Sequence, residues 1–285
     1  MKINKAVITA AAPAQPRLPL QMLVDQNGQT KSALTLIVEE AVNAGVEEIC
    51  LVVRDGDQET YLESVEEHRS RISIIEQTNP TGYGDALLRA KDFVGKDAFL
   101  HLIGDHIYVS NQLKSCAAQL IEIATREGCT VTAVEATRET MLPYFGTIGA
   151  NRLPQQKNLY EVKRVIEKPT PTIAEQELSV AGLRAGFYLC IFGMHVLMPG
   201  FMTVLETSLA EDPTRHISDA LNTLASQERY LACEVNGSRY NIGLKYGILK
   251  AQLELALAGP DRDSILSELV ETLAQRVANS PESSR

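Results

Sequence analysis

Apolar residues recur along this chain in two alternating patterns. Short runs of aliphatic and β-branched residues at 6–10, 48–53, 72–76, 98–103 and 129–136 read as strands. Between them lie segments of helical spacing. The first, 32–44, is closed by Gly45; a polar one follows at 58–69, another opens at Ala86, and a long one at 111–126 takes Asn111 as its N-cap. Strands that alternate with helices predict an α/β fold with a Rossmann-like, doubly wound, mixed but mostly parallel sheet. From 145 to 191 the pattern shortens into β segments around Pro154, Pro169 and Pro171, as a small β-rich insertion would give. After Gly243, 246–258 and 264–278 read as helices. The second carries Leu266, Leu269, Val270, Leu273 and Val277 at helical spacing, a stripe that most often packs on its own domain and otherwise joins a partner subunit. The expected organisation is one domain over 1–243, with halves near 1–140 and 141–243, then C-terminal helices at 244–279 and a frayed tail at 280–285.

Candidate chemistry concentrates where strands end. Gln77-Thr78-Asn79-Pro80-Thr81-Gly82-Tyr83-Gly84 links a strand to a helix whose N–H groups can face a polar or anionic ligand. Asp105 follows the apolar run 98–103 and Gly104, at the carboxyl end of a strand, where open α/β sheets bind ligands. A carboxylate there suits magnesium and a nucleotide. On the residues alone, Gly82 and Gly84 serve equally well as turn formers.

The net charge of −9 argues against a general nucleic-acid binder, which needs a basic face to displace counterions. No run approaches the roughly 20 apolar residues that cross a bilayer, so a cytoplasmic location is expected by default. With 285 residues, 45% of them hydrophobic, the chain can bury a substantial core. The five cysteines are widely spaced with no C-x-x-C pair, which predicts core fillers rather than a zinc or disulfide framework. His101 alternates within a strand and reads as structural, whereas His106 sits next to Asp105.

The order of these motifs, with Pro143-Tyr144-Phe145-Gly146, Val165-Ile166-Glu167-Lys168-Pro169, Gly186-Phe187-Tyr188-Leu189 and His216-Ile217-Ser218-Asp219-Ala220-Leu221 further on, resembles the sugar-phosphate nucleotidyltransferases, and most closely the UTP:glucose-1-phosphate uridylyltransferases. That resemblance spans most of the chain. It implies that Gln77 and Gly82, with backbone near Ala11, read a pyrimidine ring too tightly for a purine. It also implies that Asp105 holds magnesium, that Glu167 and the Gly146 N–H hold sugar hydroxyls, and that Lys168 pairs with the sugar phosphate. The implied substrates are UTP and a sugar-1-phosphate, glucose first, with homo-oligomers common in the family.

Two departures touch catalysis. The family's glycine-rich first loop is replaced by Ala11-Ala12-Pro13-Ala14-Gln15-Pro16-Arg17, and Pro13 and Pro16 cannot donate N–H groups to a triphosphate. Leu20 stands where the family has a phosphate-binding lysine. Arg17, expected near the leaving pyrophosphate, and Lys31 are the cations left to substitute. Asn241 stands where the family has a second metal-binding Asp, and a neutral amide oxygen holds magnesium more weakly. Two functions follow: an active uridylyltransferase, or a weak or inactive homologue that binds a nucleotide or nucleotide sugar as a sensor or partner subunit.

Overall fold

Lys5–Thr9 (β1) has no polar face: Ala6 and Ile8 enter one hydrophobic cluster while Val7 enters another, the mark of a strand covered on both sides. The computed structural model describes residues 1–12, 17–78 and 81–278. After β1, Met22–Val24 (β2) and Thr30–Ser32 (β3) form a small antiparallel pair, which leads into the helix Ala33–Asn43 (α1). The Ser32 hydroxyl caps α1 by accepting from the Thr35 N–H at 3.0 Å. Glu48–Arg54 (β4) repeats the two-sided burial, with Ile49, Leu51 and Val53 on one face and Cys50 and Val52 on the other.

The polar helix expected at 58–69 stops earlier. Gln58–Ser64 (α2) ends at buried Val65, and Glu66–Arg71 continues as a 3-10 turn into Ile72–Gln77 (β5). Tyr83–Arg89 (α3) starts three residues before the expected Ala86 and runs into the short Lys91–Val94 (α4). Phe99–Ile103 (β6) and His106–Ser110 (β7) follow. The long helix expected from Asn111 begins instead at Cys116: Cys116–Glu127 (α5) is capped by Ser115, whose hydroxyl accepts from the Ala118 N–H. The turn at 111–115 is held out of the helix: the Asn111 N–H donates to the Asn236 carbonyl and the Ser110 hydroxyl to the Lys114 carbonyl, which ties it to the distant segment that pairs with β7.

Thr130–Arg138 (β8), a 3-10 turn at Glu139–Tyr144, Thr147–Arg152 (β9), Leu159–Ile166 (β10) and Pro171–Glu177 (α6) make up the middle of the chain. Phe187–Leu197 (β11), Gly200–Glu211 (α7), Ile217–Gln227 (α8), Tyr230–Glu234 (β12) and Gly237–Asn241 (β13) come next. Gly247–Leu257 (α9) and Arg262–Ala278 (α10) close the chain. The main sheet has nine strands in the order β5-β4-β1-β6-β11-β8-β12-β10-β9. Its first four strands are parallel, the expected doubly wound half. Beyond β6 the antiparallel β11 makes the sheet mixed, and the β-rich segment supplies β9 and β10 at the far edge.

One core cluster lies under α1 and α5, the other under α3, α7 and α8. Cys50, Cys116, Cys129, Cys190 and Cys233 are all buried free thiols, as core fillers should be. Burial pushes the Cys50 thiol up to about 12. Of the stripe on α10, Leu266, Val270 and Leu273 are exposed while Leu269 is half-buried, because α10 packs chiefly on α9 and lies outside both clusters. The side chain of Val277 and the tail 280–285 lie outside the described residues. No helix among the described residues is long and apolar enough to cross a membrane.

Candidate functional site

The chain crosses from β4 and β5 on one side of β1 to β6 on the other, and that reversal opens a crevice at the strands' carboxyl ends. A cleft of about 630 Å³ occupies it, a size suited to a small-molecule ligand. The end of β1 supplies Thr9 to Ala12 as floor and the end of β6 supplies Ile103 to His106. A side chain at Gly104 would meet the Thr9 carbonyl at 2.8 Å, so glycine lets the chain turn there and present Asp105.

Asp105 is held by its neighbour, whose ring Nδ1 lies 2.6 Å from Asp105 Oδ1. Burial would raise the carboxyl's pKa, but the charge and hydrogen bond of His106 and its own backbone N–H bring it below the usual range. The group is therefore an anion at neutral pH. Opposite it stands Asn241, brought there by the β7–β13 ribbon in which Asn241 faces His106 and the Ile242 N–H donates to the Asp105 carbonyl. This ribbon, which the sequence pattern concealed, places the two proposed metal ligands on one wall. The Asn241 side-chain oxygen accepts from the Gly243 N–H at 2.8 Å and retains a second lone pair. The donor set of one carboxylate, one amide oxygen and room for substrate phosphates fits magnesium. Among the described residues one cluster of three ligand-type side chains converges, Glu39, Glu67 and His68, but it lies outside the cleft and Lys31 sits on Glu39 at 2.7 Å.

Gln77 and Gly82, the expected base-reading residues, both lie in the cleft lining with Ala11. Gln77 is nearly buried, and its amide nitrogen donates to the Gly82 carbonyl at 3.2 Å and to Asp85 Oδ2 at 2.6 Å. Beneath it Tyr83, a residue the sequence reading gave no role, lies in the lining with its hydroxyl 3.3 Å from the ring of His101. His101 is fully buried, stacked on His195, with its pKa driven well down by burial and then by His195, so it is a neutral structural group as expected.

The wall expected to hold the sugar is built on contact between separate segments. A methyl group at Gly146 would lie 2.9 Å from the Ile191 side chain, 3.0 Å from Glu167 Oε2 and 3.1 Å from the Ser218 hydroxyl. Ser218, at the start of α8, donates to Glu167 Oε2 at 2.6 Å and orients that carboxylate. Lys168 adopts φ 45°, unusual for a residue with a side chain, and its N–H is tied to the Phe145 carbonyl, with its ammonium 3.8 Å from Glu167. Behind this turn the buried Arg239 guanidinium stacks 3.8 Å over the Phe145 ring and pairs with Glu135 at 3.2 Å.

Three expected cations fare differently. Lys168 lines the cleft. Arg17 does not: it lines a separate hollow with Leu20, Asp57, Thr60 and Tyr61, so the expectation that it meets the leaving pyrophosphate finds no support in its position. Lys31 is committed to Asp25 at 3.0 Å and to Glu39, and is corrected to a structural ion pair. Arg215, from the α7–α8 connection, is a cleft cation that the sequence reading missed, paired with Glu211 at 2.6 Å. Pro13 and Pro16, the core of the altered first loop, lie outside the described residues.

The nucleotidyl transferase family model matches residues 21–252. A UTP–glucose-1-phosphate uridylyltransferase of Streptococcus pyogenes is 30% identical over 307 aligned positions, covering 95% of this chain and 96% of its own. One from Streptococcus pneumoniae is 29% identical with the same coverage. Among solved structures, a UDP-glucose pyrophosphorylase complexed with UDP-glucose superimposes with a TM-score of 0.72 at 22% identity, over 88% of this chain and 97% of that one. The UTP-bound enzyme of Acinetobacter baumannii gives 0.71 at 23% identity, over 94% and 99%. At these identities the structural likeness establishes the fold.

Proposed function

The chain belongs to the nucleotidyl transferase family, and from that premise we propose that it joins UTP to glucose-1-phosphate, giving UDP-glucose and pyrophosphate. The observation that carries the reading is the convergence of Gln77, Asp105, Gly146, Glu167 and Lys168, from four separate segments, on one cleft. In-line attack of a sugar-phosphate oxygen on the α-phosphorus of UTP needs little covalent help, since the nucleophile is already an anion. What must be overcome is repulsion between two polyanions. Lys168 would meet the sugar phosphate, Glu167 and the Gly146 N–H the sugar hydroxyls, and Gln77, Gly82 and Ala11 the base. Asp105 and Asn241 would hold magnesium, which supplies charge neutralisation at the phosphates. The five buried free cysteines fit a cytoplasmic location, where thiols stay reduced.

A second reading, a weak or inactive homologue that binds a nucleotide sugar, draws support from the placement of Arg17, the commitment of Lys31 and the neutral Asn241. Calorimetry with UDP-glucose tests what the two readings share. Binding that weakens roughly tenfold or more in Glu167→Ala, the loss of a hydrogen bond to a charged group, is expected. No binding by the unmutated protein would overturn both.

A further inference from the structure

The Gln77 side-chain amide has two hydrogens, and both are in use. Its nitrogen donates to the Gly82 carbonyl at 3.2 Å and to Asp85 Oδ2 at 2.6 Å. Both partners only accept. A carboxylate offers only acceptor oxygens, and the Arg89 guanidinium lies 3.5 Å from the other oxygen of Asp85. Exchanging the amide's oxygen and nitrogen, ordinarily an open choice, would set oxygen against two acceptors. The orientation is therefore fixed by chemistry. No described residue engages the Gln77 oxygen, and Gln77 lines the cleft.

We infer that Asp85 is a specificity-determining positioning residue: by holding the Gln77 amide with its oxygen toward the cleft, it makes Gln77 an acceptor only, selecting bases with an N–H at ring position 3. This rests on the proposed base-reading role of Gln77 and narrows it, because a free glutamine amide offers donor and acceptor alike. Uracil and thymine carry the matching N3–H. Cytosine presents a lone pair at N3 and would face oxygen with oxygen-like repulsion, leaving a buried acceptor unpaired. An unlocked amide could rotate and donate to cytosine instead. Asp85 sits on α3 with its carboxylate partly exposed, two residues past the lining residue Tyr83, and needs no contact with substrate to act.

The test is the ratio of UTP to CTP affinity, measured by calorimetry with magnesium for the unmutated protein, Asp85→Ala, Asp85→Asn and Gln77→Ala. The unmutated protein should prefer UTP. Asp85→Ala should lower the preference about tenfold, the worth of one hydrogen bond, mainly by strengthening CTP binding. Asp85→Asn keeps an oxygen acceptor and should restore most of it, a recovery that a merely structural role would not show in the ratio. If Gln77→Ala abolishes the preference but Asp85→Ala leaves it intact, the lock is overturned while base reading by Gln77 stands. If Gln77→Ala leaves UTP affinity unchanged, base reading itself fails. Should Asp85→Ala not fold, the side-chain amide resonances of Gln77 in the unmutated protein decide the matter. Two hydrogens shielded from exchange are expected, and rapid exchange would refute the lock.

Discussion

Replacing Gly146 with alanine places one methyl group at the hinge of the sugar side. Gly146 has no positive φ, so its backbone accepts alanine without strain, and whatever follows comes from the contacts. Those are severe: the new carbon would lie 2.9 Å from Ile191, 3.0 Å from Glu167 Oε2 and 3.1 Å from the Ser218 hydroxyl. Ile191 is buried with little room to retreat, so the Glu167–Ser218 hydrogen bond must give way. Overpacking of this kind costs about 1–3 kcal/mol. For a chain of this length that lowers Tm by roughly 2–6 °C. If Glu167 holds the sugar as proposed, turning its carboxylate away forfeits a hydrogen bond to a charged group, which corresponds to roughly 10- to 100-fold in the KM for glucose-1-phosphate. The KM for UTP should not move, because Gln77 and Gly82 belong to another segment of the cleft. Steady-state kinetics with each substrate varied in turn separates the two. A normal KM for the sugar phosphate in a variant with the expected loss of Tm would refute the placement of Glu167 on the sugar.

Other outcomes follow from single residues. Lys168→Gly relieves a left-handed backbone worth about 1–2 kcal/mol in an L-residue while removing the ammonium from the cleft. Its Tm should hold or rise while kcat/KM drops about 100-fold, and wild-type turnover would remove Lys168 from the reaction. Asn241→Asp keeps an oxygen for the Gly243 N–H and adds a charge beside Asp105. Magnesium titrations of turnover should saturate at lower concentration, and an unchanged curve would exclude Asn241 from the metal site. Glu40, which accepts from the Ala117 N–H at 2.6 Å at the start of α5, is raised by burial from 4.5 to about 7. Because the folded value is the higher one, its contribution is full below about pH 4.5 and is lost as pH rises through 7. Glu40→Gln should flatten that part of the stability profile, a difference on the order of 3 kcal/mol by pH 8. Parallel urea melts at pH 5 and pH 8 check this, and equal slopes in both proteins would refute it.

The parallel half of the fold was legible because β1, β4 and β6 are continuous apolar runs, which only a two-sided sheet explains. Asp105, Gln77 and Gly82 were legible at strand ends, Glu167 and Lys168 only through the family's Glu-Lys-Pro motif, and the cleft gathers all five. What escaped depends on pairing across the chain. His106–Ser110 carries no mark of being a strand except its partner Gly237–Asn241, over a hundred residues away, and the Asn236 carbonyl beside that partner holds the Asn111 N–H, so the helix expected from Asn111 starts later. Ser218 belonged to a recognised motif, yet nothing in its neighbours shows that its hydroxyl reaches Glu167. Arg17 was assigned from its match to the charged end of the family's first loop and Lys31 from its charge; neither says anything of direction, and Lys31 is spoken for by Asp25 and Glu39. The exposed stripe of α10 was read from periodicity, which records that a face is apolar but not what covers it.

The most direct measurement is pyrophosphate release by the purified protein with magnesium, UTP and glucose-1-phosphate, with dTTP, CTP and other sugar phosphates alongside. Release that requires both UTP and glucose-1-phosphate, and that falls in Asp105→Asn and Lys168→Gly, is the expected result. No release with any pair, from protein that still binds UDP-glucose, would contradict catalysis and leave a recognition site without its chemistry.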